Sequence, residues 1–438
     1  MLQKVLIANR GEIALRILQT CHEMGKQCVA AYTKVDADLR HVSLADENIC
    51  ISRKDYLNAD SLITAAKLTG CDSIHPGYGF LSENAEFAEK VEANGLVFIG
   101  PKHTHISELG DKASARQLMS SCGLSPLTGS VGSLKSLEEA KSLAADIGYP
   151  VLLKAAFGGG GRGIRLLESE EHFDNVYFEA TSEAETNFGR GELYLEKYLS
   201  RARHIEIQIL GDGKGEVIHL GSRDCSVQRR HQKIVEEAPA YKIDASLLEE
   251  LAQKVVSAMS GLQYQSAATL EFLYQDNVFY FLEINTRIQV EHPITEMIYG
   301  VDLVKAQLLI ADTEKLPYLQ SDLSPRGCAI ECRVNAEDAN FRPSPGLVTR
   351  FDPPGGNGVR VDSHVYTGYR VPHYYDSLLA KLIVHGVDRE DAIGKMQRAL
   401  VEFKIEGIDT GLEKLLDICT SPEFVLGNYD TQLLSGET

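Results

Sequence analysis

The sequence predicts a mixed α and β protein, in which one α/β region is followed by two α+β regions. The opening residues alternate between strand and helix, which is typical of a doubly wound parallel sheet. From about residue 112 short strands are joined by hairpin turns, and from about residue 326 short strands precede helical stretches. We therefore expect three domains, comprising residues 1–111, 112–325 and 326–438.

The amino-terminal region begins with a predicted strand over residues 4–8 and a helix over residues 12–24. Apolar residues recur along one face of this helix, Gly25 ends it, and residues 27–33 return to a strand pattern. The first turn lacks the G-x-G-x-x-G pattern, which argues against a dinucleotide site.

The middle region contains two predicted hairpins, over residues 204–220 and 268–284. The first strand alternates strictly, so isoleucines face one side while His204, Glu206 and Gln208 face the other. This pattern predicts antiparallel sheet with a polar face.

Two helices are predicted further along the chain. One runs from Ser246 to Gly261 and begins with a capping box between Ser246 and Glu249. The other covers residues 389–402 in the third region. No apolar run approaches the ~20 residues that a membrane span requires, so no membrane partner is expected.

The composition is that of an ordinary soluble globular protein, with 44% apolar and 24% charged residues. Its formal net charge of −18 argues against nucleic acid or an anionic membrane as a partner. The nine cysteines are scattered, so we expect reduced thiols and a cytoplasmic location. An anionic substrate would need local clusters of basic residues.

A glycine-rich loop follows a predicted strand that ends in Lys154. Residues 158–161 are four consecutive glycines, and Arg162 follows them. Glycines let backbone N–H groups approach phosphate oxygens, and the flanking cations add charge. The loop is not a Walker motif, and a flexible surface loop is the alternative. The flanking charges favour phosphate binding.

A run of polar residues at every second position predicts a substrate-binding face. In an extended strand these residues would point the same way: Glu283, Asn285, Arg287, Gln289 and Glu291. A hairpin centred on Asn277 would place Glu271 opposite Glu283, and their oxygens suit Mg²⁺ or Mn²⁺. The alternative is a solvated edge strand, which the apolar neighbours at 279–282 disfavour.

The densest basic run occupies residues 229–233 of an otherwise acidic chain. Its His231 and Lys233 are two residues apart and could face one site. An anion clamp and a solvated patch both remain open on spacing alone.

Together these motifs resemble biotin carboxylase, the ATP-grasp component of acetyl-CoA carboxylase and related carboxylases, over essentially the whole chain. The matching segments are 7–14 (IANRGEIA), 75–84 (HPGYGFLSEN), 110–112, the glycine loop, 223–239 (RDCSVQRRHQKIVEEAP), 283–297 (EINTRIQVEHPITEM), 331–333 and 372–377. Other ATP-grasp ligases share the glycine loop and the metal-binding carboxylates, but not the run RIQVEHP. The resemblance implies an ATP-grasp fold, with a mobile lid carrying the glycine loop within residues 112–325.

The resemblance also implies the ligands of ATP and of its metal ions. The implied ATP-binding residues are Lys112, Lys154, Gly159, Gly160, Gly161, Gly163, Glu196, Lys197, Leu199, His204, Gln228, His231, Glu271 and Glu283. Two Mg²⁺ or Mn²⁺ ions would be bound by Glu271, Glu283 and Asn285.

The bicarbonate site implied by the resemblance consists of Lys233, Arg287, Gln289 and the backbone of Val290. Glu291 would be the catalytic base that deprotonates bicarbonate for attack on the γ-phosphate. The carboxyphosphate formed would break down to CO₂ and phosphate, and the phosphate would remove the ureido proton of biotin.

The biotin site implied by the resemblance centres on Arg333, which would stabilise the biotin enolate, with Tyr78 and Asp376 lining the site. A structural salt bridge from Arg333 to Glu331 or Glu337 is the alternative role for this arginine.

The implied partners are a biotin carboxyl carrier protein and carboxyltransferase subunits, which choose the final acceptor. No Met-Lys-Met biotinylation motif occurs, so biotin is expected on a separate chain. Bacterial relatives commonly dimerise through a surface with a basic residue at position 19 and an aromatic one at 357. Gln19 and Asn357 stand there, so a homodimer is one of two open states.

Two other functions are considered. One is another ATP-grasp ligase that forms carboxyphosphate, such as a carbamoyl-phosphate synthetase-like enzyme. The other is a catalytically silent nucleotide-binding subunit, which the presence of Lys233, Arg287, Glu291 and Arg333 disfavours.

Overall fold

The computed structural model describes residues 1–130, 132–156 and 164–435. The glycines predicted to cradle phosphate, Gly159, Gly160, Gly161 and Gly163, lie outside the described residues. Within the described ranges the chain has the predicted mixed architecture, built around a parallel sheet, a large antiparallel sheet and a small antiparallel sheet.

The amino-terminal elements are β1 (Lys4–Ile7), α1 (Gly11–Glu23), β2 (Gln27–Thr33), α2 (Arg40–Leu44), β3 (Glu47–Ser52), α3 (Ala59–Leu68), β4 (Ser73–His75), α4 (Ala85–Ala93), β5 (Val97–Phe98) and α5 (His103–Gly110). The five strands form a parallel sheet in the order β3-β2-β1-β4-β5. Val5 and Ile7 of β1 belong to one hydrophobic core, and Leu6 between them belongs to another. Both faces are therefore buried, as a doubly wound sheet requires.

Two fully buried histidines in this region predict a pH-dependent stability. Burial lowers the pKa of His41 to about 4 and that of His75 to about 3, from an ordinary value of 6.5. The unfolded chain therefore binds more protons below about pH 6.5, and stability is lost as the pH falls through that range. Each histidine is expected to cost about 1.4 kcal/mol per pH unit. Thermal unfolding from pH 7 to pH 5 measures the slope.

The matched control for this prediction is an exposed histidine. His41→Gln should flatten the pH slope of the unfolding free energy, whereas His172→Gln, at a histidine that is 72% exposed, should leave it unchanged. Equal slopes in the two variants would contradict a role for buried neutral imidazole.

The middle elements are α6 (Lys112–Ser121), α7 (Leu137–Ile147), β6 (Val151–Ala155), β7 (Ile164–Leu167), α8 (Phe173–Phe188), β8 (Leu193–Lys197), β9 (Arg203–Asp212), β10 (Val217–Arg229), β11 (Gln232–Ala238), α9 (Ala245–Gly261), β12 (Gln265–Gln275), β13 (Val278–Asn285), α10 (His292–Tyr299) and α11 (Leu303–Thr313). Strands β7, β6 and β8 form the small sheet in that order, with a hydrophobic core of their own against α7 and α8. The strand that leads into the glycine loop therefore belongs to a separately packed unit.

The carboxy-terminal elements are β14 (Cys328–Asn335), β15 (Gly346–Leu347), β16 (Arg350–Asp352), β17 (Val359–Ser363), β18 (Arg370–Val371), β19 (Leu378–Gly386), α12 (Arg389–Glu402), β20 (Lys404–Glu406), α13 (Leu412–Thr420) and α14 (Pro422–Leu426). Single 3₁₀ turns occur at Lys34–Asp36 and Gln320–Asp322. The large sheet has the order β13-β12-β9-β10-β11-β14-β19-β17. This sheet contains strands of both the middle and the carboxy-terminal regions. The division of the chain into three domains therefore stays a prediction.

Several predicted elements agree closely with the structure. The strand over residues 27–33, the helix over 389–402 and both predicted hairpins are confirmed. The predicted capping box at Ser246 is wrong, because helix α9 begins one residue earlier. Its cap is Asp244, whose carboxylate accepts a hydrogen bond from the N–H of Ser246. No helix of the described residues is long and apolar enough to cross a membrane.

Candidate active site

A row of charged residues crosses four adjacent strands of the large sheet. Glu283 of β13 lies opposite Glu271 of β12, Glu271 opposite Glu206 of β9, and Glu206 opposite Arg223 of β10. Side chains alternate in direction along a strand, so neighbours such as Ile207 pack into the hydrophobic core on the other face. The predicted polar face of β9 is therefore confirmed, although it is buried within the protein.

The predicted pairing of Glu271 with Glu283 is confirmed, but its basis was wrong. Asp276 and Asn277 form the turn, both with positive φ, and β12 and β13 pair outward from these two residues. Counted from a two-residue turn, Glu271 would lie opposite Leu282. A register irregularity next to Glu271 inserts one extra residue and brings Glu283 opposite it.

Lys233 of β11 lies at the centre of the site, where its ammonium group contacts three buried glutamates. Its Nζ donates to Glu271 Oε1 at 2.9 Å, to Glu291 Oε1 at 2.8 Å and also to Glu206. Glu206 in turn accepts two hydrogen bonds from Arg223, at 2.9 and 3.0 Å. Buried carboxylates are stable only when paired in this way.

The pairing with Lys233 keeps the carboxylates of Glu271 and Glu291 ionised despite their burial. Burial alone would raise the pKa of Glu271, but Lys233 and His204 hold it well below its ordinary value. Burial likewise opposes the charge of Glu291, and Lys233 and Arg333 hold its pKa below the ordinary range. Glu291 is therefore an unprotonated carboxylate.

Arg287 lies beside this cluster, although not on a strand. The predicted strand from Glu283 to Glu291 is wrong beyond Asn285, where β13 ends and a loop begins. The loop still brings the predicted side chains together, because Arg287 donates to Asn285 Oδ1 at 2.9 Å and to Gln289 Oε1 at 2.8 Å. Gln289 Nε2 then donates to Glu271 at 2.9 Å.

Arg333 of β14 reaches the opposite side of Glu291. Its guanidinium donates to Glu291 Oε2 at 3.0 Å and to Glu236 Oε1 at 2.6 Å. The alternative salt bridges to Glu331 or Glu337 are wrong, because Arg333 points across to β11 and to Glu291. Arg333 therefore lies in the site and contacts the predicted base directly.

Tyr78 and Asp376, the other predicted biotin residues, approach the same region. The charges of Asp376 and Arg333 both act on the hydroxyl of Tyr78, whose pKa burial raises well above its ordinary value. That hydroxyl donates to Glu12. Asp376 itself is exposed, and its carboxylate accepts a hydrogen bond from the N–H of Leu378 at 3.0 Å.

The backbone of Val290 is held by a lysine that the sequence did not single out. Lys381 of β19 is fully buried, and its Nζ donates to the Val290 carbonyl at 2.9 Å. The same ammonium pairs with Glu12 Oε1 at 3.1 Å. One network therefore joins the predicted bicarbonate loop to Tyr78.

The described nucleotide residues lie on the small sheet, at the start of helix α6 and on strands of the large sheet. Lys154 Nζ contacts Glu196 Oε2 at 2.5 Å, and Lys112 Nζ lies 3.7 Å from Glu283 Oε2. His204 Nε2 lies 2.9 Å from Glu271 Oε2, which raises the pKa of this histidine although burial opposes the shift.

The remaining predicted nucleotide residues lie outside the row of charged residues on the large sheet. The ammonium of Lys197 donates to the carbonyls of Gly148 and Tyr149, so its side chain bonds backbone within its own region. Leu199 follows β8 and is half-buried, Gln228 is buried on β10, and His231 is exposed at the turn between β10 and β11.

The oxygen atoms along the row fit a hard divalent cation. Mg²⁺ and Mn²⁺ prefer carboxylate and amide oxygens, which Glu271, Glu283 and Asn285 supply. Glu283 is 38% exposed and is the most open carboxylate of the row. Asn285 Nδ2 already donates to Glu271 at 2.8 Å, which holds two of the three donors together.

Several members of the site were missed at the level of sequence, among them Glu83, Glu206, Arg223, Glu236 and Lys381. Glu83 accepts a hydrogen bond from Arg287 Nε at 2.8 Å. Such residues come from distant strands and loops, and their convergence depends on the sheet order. Two signals were available: the alternation in β9 placed Glu206 on the polar face, and the matching segments 75–84 and 223–239 contain Glu83, Arg223 and Glu236.

Three family models match successive parts of the chain. The model of the biotin carboxylase N-terminal domain matches residues 1–106, and that of the biotin carboxylase C-terminal domain matches residues 331–436. Between them, the model of the carbamoyl-phosphate synthase L chain ATP-binding domain matches residues 111–319. The middle match fits a nucleotide site on the large sheet.

Similar proteins cover the whole chain. The biotin carboxylase of Pseudomonas aeruginosa is 50% identical, over 99% of this chain and 98% of the relative. The biotin carboxylase domain dimer of Hydrogenobacter thermophilus 2-oxoglutarate carboxylase, solved with MgADP, ADP and bicarbonate, is 47% identical with a TM-score of 0.96, covering 100% and 98% of the two chains. The biotin carboxylase of Campylobacter jejuni, solved in a β-γ-ATP complex, is 46% identical with a TM-score of 0.97, covering 100% and 99%.

Proposed function

The chain belongs to the biotin carboxylase family of ATP-dependent carboxylating enzymes, and on this premise we propose that it transfers the carboxyl group of bicarbonate to biotin on a separate carrier protein. One observation carries the assignment of roles. The ammonium group of Lys233 contacts Glu271, a candidate metal ligand, and Glu291, the candidate base, at 2.9 and 2.8 Å. The candidate metal ligand and the candidate base therefore both contact Lys233, the residue proposed to bind the bicarbonate anion.

In the proposed mechanism bicarbonate binds between Lys233 and Arg287, with Gln289 and the backbone of Val290 completing the site. Lys233 already donates to Glu291, so an anion bound to this ammonium group lies within reach of the carboxylate for proton transfer. Glu291 takes the proton, and the deprotonated oxygen attacks the γ-phosphate of ATP. The bond from the γ-phosphorus to the β-phosphate oxygen breaks, which gives carboxyphosphate and ADP. Lys381 fixes the Val290 peptide during this step.

The second half of the mechanism transfers CO₂ to biotin. Carboxyphosphate breaks down to CO₂ and phosphate, and the phosphate takes the ureido proton of biotin to leave an enolate, whose nitrogen bonds to CO₂ to give carboxybiotin. We assign Arg333 to the enolate that results, because a guanidinium stabilises negative charge without giving up its proton. Tyr78 and Asp376 line the same region.

The nucleotide is proposed to bind across the small and large sheets, at Lys112, Lys154, Glu196 and His204, beneath the glycine loop as a lid. Divalent cations, two Mg²⁺ or Mn²⁺ ions, would neutralise the phosphate charge of ATP when bound at Glu271, Glu283 and Asn285.

The metal assignment predicts the behaviour of Glu283→Ala. Losing the most exposed carboxylate of the row should raise the Mg²⁺ concentration needed for half-maximal ATP cleavage, as well as lower the rate. Titration of the rate with Mg²⁺ at saturating ATP measures both effects. Glu250→Ala, which removes an exposed carboxylate of helix α9, is the matched control. A lower rate with unchanged Mg²⁺ dependence would show that Glu283 serves packing instead.

The proposed partners are a biotin carboxyl carrier protein and carboxyltransferase subunits, with the carboxyltransferase choosing the final acceptor. We also propose a homodimer, supported by the dimer of the Hydrogenobacter thermophilus relative. Gln19 and Asn357, at the two positions of the expected dimer surface, are both exposed. A cytoplasmic location is proposed because all nine cysteines are free thiols.

One assay separates the proposed function from its alternatives. Bicarbonate-dependent ATP cleavage should be stimulated by free biotin and not by ammonia. Stimulation by ammonia alone would indicate a carbamoyl-phosphate synthetase-like ligase, which the two biotin carboxylase models on either side of the nucleotide domain do not favour. An enzyme with no ATP cleavage at all would be the silent subunit.

A further inference from the structure

A second group of metal-ligating side chains lies at the end of helix α1, apart from the charged row of the large sheet. His22 ends this helix, Cys28 lies on β2, and Asp46 immediately precedes β3. Their candidate ligand atoms all lie within 4.8 Å of one another. These atoms are an imidazole nitrogen, a thiol sulfur and a carboxylate oxygen.

The contacts within the group are direct. His22 Nε2 lies 3.2 Å from Asp46 Oδ2, and the same oxygen accepts a hydrogen bond from the N–H of Cys28 at 2.7 Å. One thiol, one imidazole and one carboxylate thus converge from three segments of the chain.

We propose that His22, Cys28 and Asp46 bind a thiophilic divalent cation such as Zn²⁺ in a four-coordinate site, with water as the fourth ligand. Sulfur, nitrogen and oxygen ligands in this proportion are those of tetrahedral zinc sites, and Mg²⁺ or Ca²⁺ would not select thiols. The site is separate from the proposed ATP metals, which rest on oxygen ligands alone.

The geometry needs only a small adjustment to close around an ion. In a tetrahedral zinc site with bonds of about 2.0–2.3 Å, the ligand atoms lie roughly 3.3–3.8 Å apart. His22 and Asp46 are 39% and 41% exposed, so their side chains can rotate inward. Cys28 is fully buried and is the fixed ligand of the site.

Binding would release the proton of the Cys28 thiol, because a metal coordinates thiolate. The exposed imidazole and carboxylate lie at the solvent side, so both the ion and the released protons have a route to and from water. The ion would join helix α1 to the edge of the parallel sheet at β2 and β3, and it is therefore expected to stabilise the amino-terminal region.

The test uses Co²⁺ as a spectroscopic substitute for Zn²⁺, added to the full chain under reducing conditions with excess Mg²⁺. Magnesium competes for the oxygen ligands of the active site and not for thiols. We expect one Co²⁺ per chain, with a thiolate-to-metal charge-transfer band and the visible spectrum of tetrahedral cobalt, both removed by Zn²⁺. Absence of this band in the unmodified chain would overturn the proposal.

Variants assign the band to particular ligands. Cys28→Ser should abolish it, and His22→Gln, which changes an exposed residue and leaves the core intact, should weaken metal binding at least about tenfold. Cys225→Ser is the matched control, because Cys225 is a buried thiol beside Glu291 in the active site. A band that survives Cys28→Ser and His22→Gln but is lost in Cys225→Ser would place the ion in the active site and contradict the proposal.

Thermal unfolding gives an independent readout. Zn²⁺ should raise the unfolding temperature of the unmodified chain, and by less in His22→Gln. An equal rise in both would show that these residues do not bind the ion.

Discussion

Replacing Lys233 with glutamine is expected to lower bicarbonate-dependent ATP cleavage by about 10²–10³-fold, the usual effect of removing a positioned charge from a developing anion. The structure gives the reason in detail. Lys233 is the one cation that contacts Glu206, Glu271 and Glu291 together within the described residues, and its removal takes away the charge that would hold bicarbonate beside Glu291. Initial rates at saturating ATP, with and without bicarbonate, measure the effect.

The nucleotide residues lie on other elements, so ADP binding by Lys233→Gln should remain close to normal and shows that the variant is folded. Lys254→Gln is the matched control, since Lys254 forms an exposed ion pair with Glu250 on helix α9. Its activity should be unchanged. Near-normal turnover in Lys233→Gln would refute the bicarbonate assignment.

Replacing Arg333 with serine is expected to lower biotin carboxylation by orders of magnitude while the slow, biotin-independent bicarbonate ATPase continues. Only the second half-reaction requires the enolate, and Lys233 still holds Glu291 ionised when Arg333 is gone. Both activities are measured on one preparation. ADP release without biotin reports the bicarbonate ATPase, and the additional ADP release in the presence of biotin reports biotin carboxylation.

Arg389 provides a matched structural control for this variant. It is a buried arginine that donates to Glu237 at 2.7 Å and to backbone carbonyls near helix α14, away from Glu291. Arg389→Ser should lower the unfolding temperature and depress both activities together, as loss of a buried ion-pair partner does. The same parallel loss in Arg333→Ser would count against its catalytic role.

Local patterns were sufficient for the strands and helices that were predicted individually, such as the strand over residues 27–33 and the helix over residues 389–402, because strand alternation and helix periodicity are properties of neighbouring residues. The polar run from Glu283 to Glu291 shows where they fail. Its convergence was correctly expected, but a strand was expected to produce it, whereas a loop beyond Asn285 does so. Loop conformation depends on tertiary contacts, here the hydrogen bonds of Arg287 to Glu83 and Gln289.

The partners of Arg333 illustrate a second limit. Sequence proximity favoured Glu331 or Glu337, but β14 pairs with β11, and this pairing sets Glu236 within reach. The strand order of an antiparallel sheet cannot be read from one sequence without its long-range contacts. For the same reason the contact of Lys381 with Val290 could not be predicted, because it depends on the position of β19 in the sheet.

The most direct test of the central claim is the transfer of isotopically labelled bicarbonate to biotin. With ATP and Mg²⁺, the enzyme should form labelled carboxybiotin with one ADP and one phosphate released per label incorporated. Incorporation should require ATP and should be lost in both Lys233→Gln and Arg333→Ser. ATP cleavage that leaves no label in biotin, whether free or carried on a biotinylated carrier protein, would contradict the account.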